Sequence, residues 1–254
     1  MPAKFDSDTA ALVARENINS RLSAYDLEQW ILEEVKPTDG IRVLDLGCGT
    51  GKQTFRLATR FPGCSIVSVD VSAEAVAAVN HRARMEGITT VRAIRSSFDE
   101  VLEMMGGDTF DLVLSAYALY YASDMGGLMA RLTEILNPGG QVFVCGPGRG
   151  TNQEMVDLIN EVCDDKVGVP AVEDFASAAV LAALEAHYAD VSLSRLANSV
   201  EFQSIDDVLQ WWRSHNSYRA DLEAAVAQKL VQLFEKDSRF VMTKNVLGVH
   251  CKTR

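Results

Sequence analysis

Residues 43–54 read Val-Leu-Asp-Leu-Gly-Cys-Gly-Thr-Gly-Lys-Gln-Thr. A carboxylate, Asp45, precedes three glycines on alternate positions, Gly47, Gly49 and Gly51. The apolar run at 41–46 has the length of a buried strand, and Phe55, Leu57 and Ala58 open a helical pattern behind the glycines. A strand, a tight turn and a helix start leave backbone N–H groups facing whatever lies in front of the turn. Glycine serves where the chain must bend sharply and admit a ligand against its backbone. The chemistry to expect here is therefore the cradling of a small ligand by main-chain donors.

The spacing narrows the ligand. Dinucleotide enzymes favour G-x-G-x-x-G, whose third glycine packs helix on strand. Here the pattern is G-x-G-x-G, with Lys52 following. A second carboxylate, Asp70, closes the apolar run at 66–69, about twenty residues past the turn, where a ribose-binding acid belongs. An alternative for Asp70 is to cap the helix that starts near Ser72-Ala-Glu.

These residues resemble the first motif of the class I methyltransferases, which bind S-adenosylmethionine and release S-adenosylhomocysteine. The likeness is close over 41–147, where Asn137-Pro-Gly-Gly140 also matches the turn before the family's fifth strand. It implies that Asp45, Gly47, Gly49, Thr50, Gly51 and Gln53 surround the cofactor and that Asp70 accepts both ribose hydroxyls. Val71 would flank the adenine, Ser97 contact it and Phe98 pack on it, although Phe98 also fits a plain core position. The family often has an Asp at the end of its third strand, but Ser96 stands there in this chain. The segment from Ser115 would pass beneath the methionine part, with Tyr117 and Tyr121 beside the acceptor. Of Tyr117, Tyr120 and Tyr121, one is expected only to pack. Arg21, with Arg15 or Lys52 as alternatives, would meet the methionine carboxylate. A phenol is a poor base at neutral pH, so His215 is the best candidate for a general base. Trp211 and Trp212 would line an acceptor pocket or anchor a cap.

Positioning these groups takes an alternating frame. Apolar strand runs at 66–70, 89–94, 110–115 and 141–145 alternate with helical patterns at 73–86, 98–104 and 124–136. Such alternation implies right-handed βαβ units and a parallel sheet covered on both faces. Helical patterns at 10–21 and 27–35 precede the first strand. Beyond Gly150 come helices near 155–162, 176–187, 204–215 and 218–233, with strand-like runs at 190–202 and 240–251. Ser204 and Asp207 have capping-box spacing. The expected fold is α/β, Rossmann-like: a seven-stranded, mostly parallel sheet with helices on both faces, N-terminal helices and a helical cap. One domain over 1–254 is expected, with N-terminal helices at 1–37, a cofactor core at 38–148, and cap helices and last strands at 149–254. In the resembled fold the last strand runs antiparallel beside the sixth.

The bulk properties agree with an enzyme acting on small molecules. The chain has 254 residues, 48% of them hydrophobic, and a net charge of −11. Such a field repels phosphate backbones, which disfavours nucleic acid as a partner. The five cysteines are scattered, with no zinc spacing. No Asp/His cluster has metal spacing either, so no metal is expected. No signal-like or membrane-length segment is read, and the expected location is the cytoplasm, with a homodimer compatible. The reaction this implies is in-line methyl transfer to O, N or C of a small-molecule acceptor. The alternatives are the same fold used for cyclisation, decarboxylation or binding alone, and a nucleotide-dependent dehydrogenase.

Overall fold

In the computed structural model, residues 9–166 and 178–253 are described. They form two compact units. One comprises residues 28–146, 178–195 and 247–253, the other 9–27, 147–166 and 196–246.

The first unit is built on a seven-stranded sheet. Its strands are β1 (Arg42–Leu46), β2 (Ser65–Asp70), β3 (Val91–Arg95), β4 (Phe110–Ala116), β5 (Leu136–Pro147), β6 (Asp190–Leu196) and, last in the chain, β9 (Val246–Lys252). Two further strands, β7 (Ser199–Phe202) and β8 (Phe240–Thr243), lie in the other unit. The sheet order is β3-β2-β1-β4-β5-β9-β6, with the last strand inserted beside the sixth, and the pairs from β3 to β5 are parallel. Parallel strands must be covered on both sides, which is why β1 and β4 are mostly apolar and buried. Val43, Leu44, Leu46 and Leu114 are completely buried. The covering helices are α2 (Leu27–Val35), α3 (Lys52–Arg60), α4 (Ala73–Met85), α5 (Val101–Met105), α6 (Met125–Leu132) and α8 (Ala178–His187).

Three expectations change here. The helical pattern at 176–187 was expected in the cap. Its described part is α8, which packs on the sheet unit: Leu184 and Tyr188 join the core, and the Tyr188 hydroxyl donates to the Met129 carbonyl at 2.6 Å. The helix expected from Phe98 begins only at Val101, because Ser97 accepts the Glu100 N–H and delays it. Asn137-Pro-Gly-Gly140 does not precede β5 but lies inside it. Phe110 pairs with Leu136 and Leu112 with Gln141, so the intervening residues bulge out of the ladder.

The second unit has its own core. Helices α1 (Thr9–Leu22), α7 (Gln153–Val162), α9 (Ile205–Arg213) and α10 (Glu223–Asp237) surround the hairpin-like pair β7–β8. The pair is antiparallel, with Ser199 opposite Thr243 and Phe202 opposite Phe240. Ile18, Ile159, Phe202, Trp211, Trp212, Val226 and Leu230 form its apolar centre. Ser204 caps α9 by accepting the Asp207 N–H at 3.1 Å, as its spacing foretold. The runs 190–202 and 240–251, each read as one strand, are each two. They break at Ala197-Asn198 and Lys244-Asn245, so that β6 and β9 enter the large sheet while β7 and β8 pair in this unit.

Candidate cofactor site

The glycine turn follows β1 and leads into α3. Gly47, Gly49 and Gly51 all have positive φ, at 74°, 51° and 80°. That conformation strains any side chain, and space adds a second constraint. A Cβ on Gly47 would lie 2.1 Å from the Ala118 Cβ and 3.5 Å from Phe98, and one on Gly51 would lie 2.8 Å from Val79. Thus the turn, the Phe98 ring and the segment after β4 meet at Gly47. The Gly47 and Cys48 N–H groups donate to the Val69 carbonyl at 2.7 and 3.0 Å.

Asp70 sits at the end of β2 and holds the turn. One carboxylate oxygen accepts the Gly49 N–H at 2.8 Å and the other the Ser72 N–H at 2.9 Å. The cap of α4 is Ser72, whose hydroxyl accepts the Ala75 N–H, so Asp70 is not the capping residue. Carboxylate oxygens have further acceptor capacity, and Asp70 is only partly buried.

Asp45 lies beneath the turn. It is 2% exposed and accepts the Thr54 hydroxyl at 2.5 Å, and Thr54 lies 3.0 Å from the Ser68 hydroxyl. Burial pushes its carboxyl up to about 6; the Thr54 bond opposes this and the Asp70 charge adds to it. A group so enclosed supports the loop from below, so its expected contact with the ligand is withdrawn. The Asp45–Thr54–Ser68 chain was not read from the sequence; only the position of Asp45 hinted at it.

Gln53 is the clearest sign of a missing partner. It is 6% exposed, and among the described residues neither its amide nitrogen nor its amide oxygen has a hydrogen-bond partner. Leaving such a buried group unpaired costs about 1–3 kcal/mol. Thr50, in the turn before α3, is partly buried.

The other expected residues divide. Phe98 is half-buried and packs both on the sheet core and above Gly47. Val71 is exposed at 48%, at the rim after β2. The Ser97 hydroxyl donates to Glu100 and accepts its N–H, which ties it to the start of α5. Ser115 is buried and its hydroxyl donates to the Leu46 carbonyl at 2.8 Å, so it braces β4 on β1 and is withdrawn as a cofactor ligand. Tyr117 has a left-handed backbone at φ 58° and donates its N–H to the Cys145 carbonyl. Strain of this kind at a non-glycine residue marks a conformation that the surrounding structure enforces. Burial drives the Tyr117 phenol well above its usual range, which keeps it a protonated donor. The Tyr120 and Tyr121 rings lie 4.7 Å apart, and Tyr121 is exposed at 42%.

Two expected residues lie in the second unit with other work. Arg21 is paired with Asp207 at 2.6 Å on that unit's surface, so the methionine-carboxylate role is withdrawn. His215 is a weak base. Burial, then the Lys244 and Arg15 charges, pull its pKa down to about 3. Its Nδ1 also lies 2.8 Å from the Ser217 hydroxyl and 3.2 Å from the Ser217 backbone nitrogen, so that side of the ring is engaged within its own turn. The expected proton-abstracting role does not fit this placement. Trp211 and Trp212 are fully buried and anchor that unit's core, with indole N–H groups donating to Asn19 and to the Ser217 carbonyl.

A mostly parallel sheet with a glycine turn after its first strand and an acid ending its second defines a Rossmann-like protein of the nucleoside-binding kind. The model of the methyltransferase domain family matches residues 37–198, and the chain belongs to that family. A trans-aconitate 2-methyltransferase of Deinococcus radiodurans is 39% identical over 106 residues, 42% of this chain and 38% of that protein. A ubiquinone biosynthesis O-methyltransferase of Rhizobium etli is 31% identical over 113 residues, 44% of this chain and 43% of that one. The chain thus spans about two fifths of the length of these curated relatives. The solved phosphoethanolamine N-methyltransferase 2 of Haemonchus contortus, in complex with phosphomonomethylethanolamine and S-adenosylhomocysteine, has the same fold, with a TM-score of 0.59 at 19% identity over 98% of this chain and 58% of that one. Among the described residues no helix is long and apolar enough to cross a membrane, and no group of three or more His, Cys, Asp or Glu could hold a metal ion.

Proposed function

We propose that the protein transfers the methyl group of S-adenosylmethionine to O, N or C of a small-molecule acceptor and releases S-adenosylhomocysteine. The observation that carries this reading is the glycine turn clamped by Asp70, in a chain of the methyltransferase domain family. The residues present fit the cofactor. The glycines let Ala118 and Phe98 close on the turn at Gly47, Asp70 has lone pairs for ribose hydroxyls, and the buried Gln53 amide has no partner among the described residues. Val71 and Phe98 offer apolar surface for the adenine, and Thr50 belongs to the turn itself.

Bound there, the cofactor supplies a sulfonium-activated methyl group. An S–CH3 bond breaks as a bond from the acceptor's nucleophile to the methyl forms, and a neutral nucleophile then sheds its proton. The chain's work is alignment, which in favourable cases contributes roughly 7–11 kcal/mol to rate. Tyr117, held protonated, donates a hydrogen bond that orients the reactants, with Tyr121 at the rim of the same segment. No base is assigned. The reading is of a cytoplasmic enzyme of small-molecule biosynthesis, compatible with a homodimer. The test is incubation of the protein with S-adenosylmethionine and a panel of hydroxy, amino and carboxylic acids. Acceptor-dependent S-adenosylhomocysteine supports transfer. Tight cofactor binding with no turnover on any acceptor would move the assignment to a non-methylating role of the fold.

A further inference from the structure

The end of β3 holds the loop that follows β2. β3 is an edge strand of the large sheet, and its last residue, Arg95, pairs in register with Asp70. One residue further, the Ser96 N–H donates to the Asp70 carbonyl at 3.1 Å. The Arg95 side chain adds a second tie: its Nε–H donates to the Val71 carbonyl at 3.0 Å. That carbonyl shares a planar peptide unit with the Ser72 N–H. The Ser72 N–H in turn donates to the Asp70 carboxylate at 2.9 Å. A chain of hydrogen bonds thus runs from the Arg95 guanidinium, through the Val71–Ser72 peptide, to the acid that also accepts the Gly49 N–H. Because the peptide is rigid, turning its carbonyl toward Arg95 also aims its N–H, and a cation on the carbonyl strengthens the donor at the other end.

Stability alone is a poor reason for this tie. Arg95 is exposed, and among the described residues the Val71 carbonyl is the one partner of its side chain. A single bond of that kind adds little to folding, because water competes for both groups. What the tie holds is an apolar side chain in the open: Val71 is 48% exposed between an acid and a helix cap. The loop therefore presents a carboxylate and an apolar side chain at fixed backbone angles, next to the glycine turn.

We infer that Arg95 is a positioning residue for the adenosine half of the cofactor. Through the Val71–Ser72 peptide it sets the Asp70 carboxylate for the ribose hydroxyls and the Val71 side chain for the adenine. This role rests on the proposed binding of S-adenosylmethionine.

The test is calorimetric titration of the full chain with S-adenosylhomocysteine and with 5′-methylthioadenosine, which keeps only the adenosine half. Two substitutions separate the bond from the charge. Arg95→Met puts a methyl group where the Nε–H stands; Arg95→Gln puts an uncharged amide N–H there. The expected result is that Arg95→Met weakens both ligands by the same factor, about fivefold, while Arg95→Gln stays within about twofold of the wild type. The ligand-free melting temperatures of both variants should lie within about 2 °C of the wild type. Unchanged affinity in folded Arg95→Met, an equal loss in both variants, or a fall in melting temperature without a loss of affinity would each overturn the inference. If Arg95→Met does not fold, Arg95→Ala replaces it; if neither folds, Arg95 belongs to the fold and the inference is wrong. A wild type that binds neither ligand would overturn the cofactor reading itself, and this role with it.

Discussion

Asp70 has two duties, and they separate by measurement. Its carboxylate accepts the Gly49 and Ser72 N–H groups and, in the proposed function, the ribose hydroxyls as well. Asp70→Ala removes charge-assisted bonds, each worth about 1.5–3 kcal/mol. S-adenosylmethionine binding should weaken tenfold or more by calorimetry, with a smaller loss in melting temperature. A large loss of stability at unchanged affinity would assign Asp70 to the loop alone. Gly47→Ala tests the turn itself. Its methyl meets the Ala118 Cβ at 2.1 Å in a left-handed backbone, so we expect a destabilisation of about 1–3 kcal/mol by urea unfolding, or no fold at all. Tyr117→Phe keeps the buried ring and deletes the donor. It should lower kcat with little change in stability; an unchanged kcat would mean that the phenol only packs.

At the scale of elements, the break between β8 and β9 carries Lys244 and with it a pH dependence. The folded pKa of Lys244 lies near 7, below its ordinary 10.5. The unfolded chain therefore binds more protons between these values, and stability rises with pH across them. That stability is fully present above 10.5 and is lost as pH falls through about 7. The groups facing Lys244 are Arg15 from α1, His215 after α9 and Asn152 at the start of α7, with Glu154 of α7 held by Thr243. Lys244→Met should therefore exceed the wild type in stability at pH 7, and the gap in urea midpoint should narrow by pH 10. A gap independent of pH would contradict the shifted lysine. The elements themselves were largely legible. Strands β1, β2 and β4 are mostly apolar because helices cover them, and the capping serine of α9 announces its helix. The breaks at Ala197-Asn198 and Lys244-Asn245 were not legible, since both halves of each run alternate in a strand-like way and only tertiary pairing tells them apart. For the same reason α8 was assigned to the wrong layer: a helix of alanine and leucine does not name the surface it covers.

For the whole molecule, two apolar cores divide the work. One supports the sheet that carries the glycine turn; the other is packed around Trp211 and Trp212. The glycine turn could be read from sequence because its requirements are local: glycines at positive φ and an acid at a strand end. The reactive side could not. Ser115, Arg21 and His215 have the right residue types, but their hydrogen bonds run to Leu46, Asp207 and Ser217, partners that no spacing rule foretells. The measurement that tests the central claim most directly is calorimetric titration of the ligand-stripped protein with S-adenosylmethionine, S-adenosylhomocysteine and NADH. The account predicts micromolar binding of the first two and none of NADH. Binding of NADH alone, or of none of the three, would contradict it.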